Sequence, residues 1–323
     1  MWASPKHEAN LVSVIIPTYN RAAVLPDAME SVFKQTYRPI ELIIVDDGST
    51  DSTGEIVISF SRKAAGDSLF TLRYIAKNNE GSQVARNAGV TVSTGEFLQF
   101  LDSDDILNPD KLANAVRLYR EDPTIDFVYS PWIVDNGKRL IEMNGPDLNG
   151  LPLLSEAVLH NLCVFSPVYK RKSLLKIGPF NEKLFKAQDI EYCTRAISMT
   201  TNAAKDDSIG GIYRLGKTEN SIVGSLDPDK LRSEWNVNRW QRKALHAEPR
   251  TQSKDRALAL LVRRAQSIAE RSSSGGCPGL GLRILITEYR LWWPAEPKRT
   301  TKCLLLGARL LVAYGRRIFQ ASE

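Results

Sequence analysis

The sequence of 323 residues contains few of the residues from which metal and disulfide frameworks are built. It has three histidines and four cysteines, and the cysteines lie far apart, at Cys163, Cys193, Cys277 and Cys303. No two of them form a CxxC pair, so the pattern argues against a zinc site and against a disulfide framework. A reducing compartment fits better, and we expect a cytoplasmic protein.

Long hydrophobic runs are absent too. The N-terminal segment MWASPKHEANL contains no apolar stretch of the kind found in a signal peptide. No run approaches the roughly 18–20 apolar residues that a membrane-spanning helix requires. With 43% hydrophobic and 25% charged residues, the composition is that of an ordinary globular protein. The length suits one large α/β domain with an appendage, or two modest domains.

The sequence also lacks two common phosphate-binding loops. The apolar run Leu11–Pro17 predicts a first strand, which a dinucleotide-binding enzyme would follow with a GxGxxG turn. The turn here is Thr18-Tyr19-Asn20-Arg21, without a glycine, and the chain has no Walker A motif. The pattern therefore disfavours a nicotinamide or flavin enzyme.

Strands and amphipathic helices alternate through the first half of the chain. After the first strand, the pattern predicts strands at Ile40–Val45, Leu72–Ala76, Glu96–Leu101 and Asp126–Ser130. It predicts helices around Leu25–Phe33, after Asp51-Ser52, over Ser82–Val92, and after Pro109 with Asn108 as the cap. Repeated β-α-β units give right-handed crossovers and a mostly parallel sheet. Ligands of such sheets bind beyond the carboxyl ends of the strands.

The second half is less regular and more basic. The pattern predicts a loop over Trp132–Asn149, a strand at Val164–Tyr169 and a helix at Asp189–Ser198. Residues 224–323 are expected to be helical, with a flexible linker near residues 272–281. This segment holds 19 Lys and Arg against 9 Asp and Glu, a surplus larger than the net charge of +6 for the whole chain. A basic tail can face a membrane, an acidic polymer or nucleic acid.

Two groups of carboxylates follow the second and fourth predicted strands. Asp46-Asp47 ends one strand and Asp102-Ser103-Asp104-Asp105 ends the other, at the sheet edge where ligands bind. Each group could instead cap a helix or shape a turn, and for Asp105 capping and function stay equally open. Two such groups would repel a diphosphate unless a cation bridged them. Mg²⁺ or Mn²⁺ suits carboxylate and phosphate oxygens, so a divalent metal is expected.

Four segments carry a family resemblance: VSVIIPTYNR, IIVDDGSTD, NEGSQVARNAG and GEFLQFLDSDD. In this order and spacing they resemble the inverting family 2 glycosyltransferases of GT-A fold. The resemblance implies a catalytic domain at residues 11–223 with a mostly parallel α/β sheet. A helical, basic C-terminal extension at residues 224–323 would follow it.

The resemblance assigns roles to residues of the donor site. It implies that Thr18 and Asp47 contact the nucleotide base and that Asp102 bonds the ribose. Arg86 would either help to hold the base or position the side of the site that contacts it. Asp104 would ligate Mn²⁺ or Mg²⁺. The metal would offset the charge that builds on the departing nucleotide diphosphate.

An inverting transfer also needs a base that takes the proton of the acceptor hydroxyl. In the family, glycine, an aromatic residue and an acid precede a short helix that begins Glu-Asp. Residues Gly178–Glu182 and Lys186–Glu191 match this pattern, and Asp189 falls on the base, a role compatible with capping the helix.

The sequence departs from the family pattern at two positions. Gln188 stands where a glutamate is common, so the base has no like-charged neighbour there. Gly216-Lys217 stands where the family often has a histidine, and a contact of Lys217 or Arg214 with the diphosphate stays open.

The expected function is metal-assisted transfer of a sugar, with inversion, from a nucleotide-diphosphate sugar, a UDP-sugar by preference. The acceptor would be a glycan or a lipid-linked glycan, as in polysaccharide or cell-envelope biosynthesis. The alternative is a non-catalytic scaffold subunit of a polysaccharide assembly system. Nucleic acid is not expected as a partner, because the basic tail lacks a recognisable module with interleaved aromatic residues.

Two basic amphipathic stretches of the tail, Leu282–Trp293 and Cys303–Phe319, leave two interpretations open. They could lie in the headgroup plane at the inner face of the cytoplasmic membrane, as a peripheral contact. They could instead pack on the catalytic domain or pair in a homodimer.

Overall fold

The computed structural model describes residues 7–148, 154–200, 202–215, 226–248, 251–274 and 277–292. The chain divides into two compact units. The first comprises Met1–Leu153, His160–Glu182 and Gln188–Glu219, and the second comprises Leu154–Leu159, Lys183–Ala187 and Asn220–Glu323.

Strands and helices alternate along the first unit as far as β4. In chain order, the elements of the whole chain are β1 (Glu8–Thr18), α1 (Leu25–Phe33), β2 (Ile40–Asp46), α2 (Thr53–Ala64), β3 (Phe70–Ala76), α3 (Ser82–Val92), β4 (Gly95–Phe100), β5 (Ile106–Leu107), α4 (Lys111–Glu121), β6 (Phe127–Tyr129), β7 (Trp132–Asp135), β8 (Leu140–Met143), α5 (Leu154–Leu159), β9 (Val168–Lys170), α6 (Arg171–Ile177), α7 (Gln188–Met199), β10 (Ala203–Lys205), β11 (Gly211–Arg214), α8 (Pro228–Leu245), α9 (Gln252–Ser274) and α10 (Pro278–Trp292).

A seven-stranded sheet forms the centre of the first unit, in the order β10-β6-β9-β4-β1-β2-β3. Strand β9 runs antiparallel to β4 and β6, and the other neighbouring strands are parallel. Every residue of β2 is buried, as is β1 from Leu11 onward, because helices cover both faces of a parallel sheet. The predicted α/β fold with a mostly parallel sheet is confirmed.

Helix α3 has the bounds that the sequence predicts, and it lies very close to the sheet. A Cβ atom on Gly89 would approach Cγ2 of Ile15 to 2.5 Å and Cγ2 of Val45 to 3.3 Å. Glycine therefore permits this close approach between a helix and two strands. The fixed helix carries Ser82 and Arg86 in its first turns, beyond the carboxyl end of β3.

A second, four-stranded sheet has the order β5-β11-β7-β8. The loop predicted over Trp132–Asn149 is wrong for its first part, because β7 and β8 form an antiparallel hairpin there. The side-chain oxygen of Asn136 accepts from the backbone N–H groups of Lys138 and Arg139, and Gly137 has a φ of 75°. All four residues of β8 are exposed, so the strand lacks the apolar alternation by which strands are recognised.

Two predicted boundaries also differ from the structure. Helix α4 is preceded by Asp110 rather than Asn108, because the Asn108 side-chain amide donates to the carbonyl of Ile209 at 2.7 Å. Strand β9 begins only at Val168, because the preceding residues form a turn in which the N–H of Ser166 donates to the carbonyl of Cys163.

The second unit is helical, as predicted for the C-terminal part. Helices α8, α9 and α10 share an apolar core formed by Leu231, Trp235, Ala265, Ile268, Ala269, Ile284 and Leu285. The segment expected to be a flexible linker consists largely of the end of α9 and the start of α10, which meet in this core. Over the part of the chain that the structure describes, no helix is long and apolar enough to cross a membrane.

Candidate active site

The ends of β1 and β2 form one side of the candidate site. Thr18 pairs with Asp46 across the two strands, and the N–H of Asp47 donates to the carbonyl of Thr18 at 2.8 Å. Thr18 is buried, and its hydroxyl oxygen finds no hydrogen-bond partner among the described residues. The two residues predicted to contact a nucleotide base are therefore adjacent.

The Asp47 carboxylate fixes the loop that leads into α3. Its Oδ1 accepts from Nζ of Lys77 at 2.7 Å and from the N–H of Glu80 at 3.0 Å, and its Oδ2 accepts from the N–H of Gly81 at 2.7 Å. Gly81 has a φ of 103°, in the region that favours glycine. A carboxylate offers about four acceptor sites, so Asp47 retains capacity for one further donor.

Asp46, to which the sequence gives no separate role, shapes the turn after β2. Its Oδ1 accepts from the N–H of Ser49 at 2.8 Å and its Oδ2 from the hydroxyl of Tyr74 at 2.6 Å. Burial, followed by the hydrogen bond to Asp46, raises the pKa of Tyr74 well above its ordinary value. Of the two adjacent acids, Asp46 is committed to local structure on both oxygens.

The acidic turn after β4, Asp102–Asp105, is joined to α3 by an ion pair. Asp102 Oδ1 forms an ion pair with Nη2 of Arg86 at 2.5 Å, and the Arg86 guanidinium lies over the ring of Phe180 at 5.2 Å. Burial, then the charge of Asp102, raises the pKa of Asp104, and the positive charge of Arg21 opposes this rise. Arg21, in the turn after β1, is a residue to which the sequence analysis gave no role.

Asp105 does not cap a helix, since β5 follows it. It is fully buried, and its Oδ1 accepts from the N–H of Arg214 on β11 at 3.0 Å. Burial raises the pKa of this carboxyl well above its ordinary range, and the charges of Asp102 and Asp104 add to the rise. Asp105 therefore fastens the acidic turn to the small sheet.

Arg214 fastens the same turn with its side chain. Its Nε donates to the carbonyl of Asp104, and its Nη1 forms an ion pair with Asp27 of α1 at 2.7 Å. The guanidinium is almost fully buried, and its Nη2 finds no hydrogen-bond partner among the described residues, so a contact with a diphosphate stays open. Lys217, the other residue left open for that contact, lies outside the described residues.

Asp189 lies in the first turn of α7, which begins one residue earlier than predicted. Its side chain is half-buried, and burial raises its pKa while the positive charge of Arg86 opposes the rise. The neighbouring Gln188 donates from Nε2 to the hydroxyl of Ser82 on α3 at 2.9 Å. The predicted base is thus close to the arginine that pairs with Asp102.

Two further residues near these carboxylates were missed by the sequence analysis. Burial raises the pKa values of the Cys163 thiol and the Tyr213 hydroxyl, and in both cases the charges of Asp105, Asp102 and Asp189 add to the rise. Cys163 precedes β9 and Tyr213 lies on β11, so only the fold brings them near the acidic turn. No motif in the sequence signals either residue.

Within the described ranges, no three histidine, cysteine or acidic side chains are grouped so as to hold a metal ion. The residues fit a divalent cation that is held partly by the substrate, because Mg²⁺ is commonly bound by one or two carboxylates together with phosphate oxygens. Asp104 can supply such a carboxylate at a site shared with a diphosphate. An all-protein metal cage is not what these residues form.

Two glycosyltransferases are similar in sequence to part of the chain. A glycosyltransferase of Nostoc sp. is 32% identical over 195 residues, 57% of this chain and 59% of the relative. A glycosyltransferase of Rickettsia felis is 33% identical over 230 residues, 68% of this chain and 35% of the relative. The chain therefore spans between about a third and three fifths of the length of these relatives.

Two solved structures share the fold at low sequence identity. Residues 1–349 of Staphylococcus aureus TarS, in complex with UDP-GlcNAc, superpose with a TM-score of 0.68 at 22% identity, covering 94% of this chain and 89% of that one. The mannosyltransferase PcManGT of Pyrobaculum calidifontis, in complex with GDP-Man and Mn²⁺, superposes with a TM-score of 0.57 at 20% identity, covering 98% and 90%.

The family assignment rests on the sequence itself. Residues 13–177, about half of the chain, match the description of glycosyl transferase family 2. These residues include the ends of β1, β2 and β4 and the acidic turn described above. The chain therefore belongs to the family 2 glycosyltransferases.

Proposed function

We propose that this chain transfers a sugar from a UDP-sugar to a hydroxyl of a glycan or lipid-linked acceptor, with inversion and with assistance from Mn²⁺ or Mg²⁺. The observation that carries the proposal is the position of Arg86, which pairs with Asp102 of the acidic turn and lies near Asp189. A nucleotide-binding side and a candidate base thereby share one charged group. The complexes of TarS with UDP-GlcNAc and of PcManGT with GDP-Man support a nucleotide sugar as donor.

In this proposal, the donor lies along the ends of β1, β2 and β4. Thr18 has a free hydroxyl and Asp47 one remaining acceptor site, and both suit the polar edge of a uracil. Arg86 occupies only Oδ1 of Asp102, so Oδ2 is left for a ribose hydroxyl. Arg21 brings positive charge to the turn, where it can meet the diphosphate.

The metal would be held by Asp104 and the diphosphate oxygens. When bound, it supplies positive charge that stabilises the departing nucleotide diphosphate. Without it, Asp104 is a carboxyl whose ionised form is disfavoured by burial and by Asp102. A neighbouring cation favours the ionised form, so the residue is suited to this role.

Asp189 acts as the base in the proposed reaction. It accepts the proton of the acceptor hydroxyl while the acceptor oxygen bonds to the anomeric carbon and the bond to the diphosphate oxygen breaks. One displacement of this kind inverts the anomeric configuration. The charge of Arg86 partly offsets the burial of Asp189, which helps to keep a proton acceptor available.

The decisive experiment is a screen of UDP- and GDP-sugars with the full chain, with and without Mn²⁺, by thermal shift and by release of nucleotide. A ligand bound by the folded state alone raises the melting temperature. We expect a UDP-sugar to do so and to be turned over in a metal-dependent manner. Nucleotide binding without turnover on any acceptor would favour the scaffold alternative, and binding of neither nucleotide would contradict the proposal.

We further propose that residues 11–223 are the catalytic domain, that residues 224–323 are its C-terminal extension, and that the protein acts in the cytoplasm. In the first tail stretch, Ile284 and Leu285 are buried in the core that α8, α9 and α10 of the extension share. Contact of the rest of this stretch with a membrane, with the catalytic domain or with a second copy stays open. The second stretch, Cys303–Phe319, lies outside the described residues and keeps the proposed membrane contact or homodimer contact open.

A further inference from the structure

Helix α3 and helix α7 are joined by polar contacts that run through the candidate site. The Ser82 hydroxyl oxygen accepts from Nε2 of Gln188 at 2.9 Å and, more weakly, from Nη1 of Arg86 at 3.4 Å. The other end of the Arg86 guanidinium pairs with Asp102. A continuous path of side chains therefore leads from Asp102 of the acidic turn to Gln188, the residue before Asp189.

A second path joins the same two helices through aromatic rings. Arg86 lies over the ring of Phe180, and that ring stacks on Tyr192 of α7 with 3.8 Å between ring centroids and 9° between planes. The N–H of Phe180 donates to Oδ1 of Asn87 on α3 at 2.9 Å. Tyr192 is three residues beyond Asp189, so it is on the next turn of the same helix.

We propose that Arg86 and Ser82 are positioning residues that keep the Asp189 carboxylate in a fixed position relative to Asp102, so that the acidic turn and the base stay aligned with each other. The proposal rests on the proposed function, in which Asp102 bonds the donor and Asp189 is the base. Arg86 is suited to such a role because its planar fork fixes two partners at once, whereas a lysine would fix one. Its guanidinium is buried, which restricts its alternatives.

The charges around Asp189 explain why the position of Arg86 matters. Five groups interact electrostatically with Asp189: Arg86 on α3, Asp102 after β4, Cys193 on α7, Cys163 before β9 and Tyr213 on β11. Arg86 is the one cation in this set, which is drawn from the described residues. Asp102 is an anion and the other three groups are neutral at neutral pH, so displacing Arg86 takes the positive charge of this set away from Asp189.

The test uses Ser82→Ala in the full chain, which removes the contact with Gln188 and loosens Arg86 but leaves the Asp102 ion pair. The first readout does not depend on turnover: the titration of the Asp189 carboxyl, followed by ¹³C NMR and identified with Asp189→Asn. We expect its midpoint to move to higher pH, because a less fixed Arg86 stabilises the carboxylate less. Arg86→Lys, which keeps the charge but loses the fork, should move it in the same direction.

The second readout is steady-state turnover of the donor identified above. In Ser82→Ala, kcat should fall about tenfold and its acidic limb should move to higher pH, because a misplaced base lowers the rate. The Kd for UDP should change by less than about threefold, since the Asp102 ion pair stays. Ser82→Thr, which keeps a hydroxyl, should restore both kcat and the pH profile. Ser198→Ala, a serine on the exposed face of α7 that bonds only to the carbonyl of Arg195, is the matched control.

An unchanged Asp189 titration in both Ser82→Ala and Arg86→Lys would overturn the inference, whether or not the chain turns over a sugar. A moved titration in a chain that binds no nucleotide sugar would leave the coupling in place and remove the proposed function. A fall in melting temperature without any change in the titration would indicate a structural role only, and would also overturn it.

Discussion

Replacing the proposed base by its amide, Asp189→Asn, separates chemistry from donor binding and from stability. The change keeps the shape of the side chain but removes its charge and its ability to accept the acceptor proton. Asp189 is on α7, whereas Asp102 and Asp104 follow β4. We therefore expect transfer to fall by about 10²–10⁴, the usual contribution of a general base, while the Kd for UDP with Mn²⁺ changes by less than about threefold.

The same substitution should stabilise the fold at neutral pH. Burial raises the folded-state pKa of Asp189 above its unfolded value, so ionisation costs more in the folded state than in the unfolded state. The stability associated with the protonated carboxyl is fully present below the unfolded pKa and is lost as pH rises through the folded pKa. An uncharged Asn avoids that loss, so the variant should be more stable than the wild type at pH 7.5 and should melt at a higher temperature.

Calorimetry at two pH values checks the assignment. At pH 7.5 the variant should melt at a higher temperature than the wild type, and below about pH 3.5, where the unfolded carboxyl is also protonated, the difference should vanish. Asp207→Asn, at a carboxylate that is 93% exposed, serves as the control and should change neither transfer nor Tm. Loss of UDP affinity along with turnover would make Asp189 a donor ligand, and a lower Tm at pH 7.5 would refute the electrostatic reasoning.

Three further predictions test the metal, the packing of α3 and the tail. Asp104→Asn should lower metal-assisted transfer by about 10²–10³ and abolish the effect of Mn²⁺ on UDP affinity; wild-type rates, or full activity of the native enzyme in chelator, would exclude Asp104 as ligand. Gly89→Ala should destabilise the fold by about 1–3 kcal/mol in urea denaturation, since the new Cβ meets Ile15 at 2.5 Å, while Gly66→Ala, which meets nothing within 4 Å, should be near neutral. Replacing the tail arginines by glutamine should weaken binding to anionic liposomes by ~1 kcal/mol each if the tail meets a membrane, and co-sedimentation at low salt equal to that of the wild type would favour packing or pairing. The residues to replace are Arg309, Arg316 and Arg317.

These substitutions are preferable to a truncation after α9. Ile284 and Leu285 of α10 lie in the core that α8 and α9 share, so a chain ending at Ser274 would lose buried apolar contacts along with the tail. A fall in liposome binding by such a chain would then have two explanations. Replacing the three arginines changes the charge of the tail and leaves every residue of that core in place.

The sequence predicted those elements whose burial leaves a regular pattern. Strand β2 is buried throughout, and both β2 and α3 lie within a residue of their predicted bounds. Strand β8 was missed because it is exposed at every position, and the Asn108 cap was wrong because a distant carbonyl, that of Ile209, takes its side chain. Local patterns do not contain such long-range competition.

The same distinction holds within the candidate site. Asp47, Asp102 and Asp104 occur at strand ends, so their proximity followed from the topology of a parallel sheet. The proximity of Cys163 and Tyr213 to the acidic turn depends on how the chain returns to the sheet after α4, which no short motif encodes. The commitment of Arg214 to Asp27 and to the Asp104 carbonyl likewise joins residues far apart in the sequence.

The arrangement of charge in the acidic turn explains why a cation matters to the proposed reaction. Three carboxyls lie within four residues, and two buried arginines beside them form ion pairs, Arg86 with Asp102 and Arg214 with Asp27. Arg21 opposes only part of the effect of burial on Asp104. A diphosphate that approached this turn would add negative charge where the arginines already pair with carboxylates. We therefore expect the binding of such a donor to depend on an added cation, and the response of nucleotide affinity to Mn²⁺ is the measurement on which the proposed function most depends.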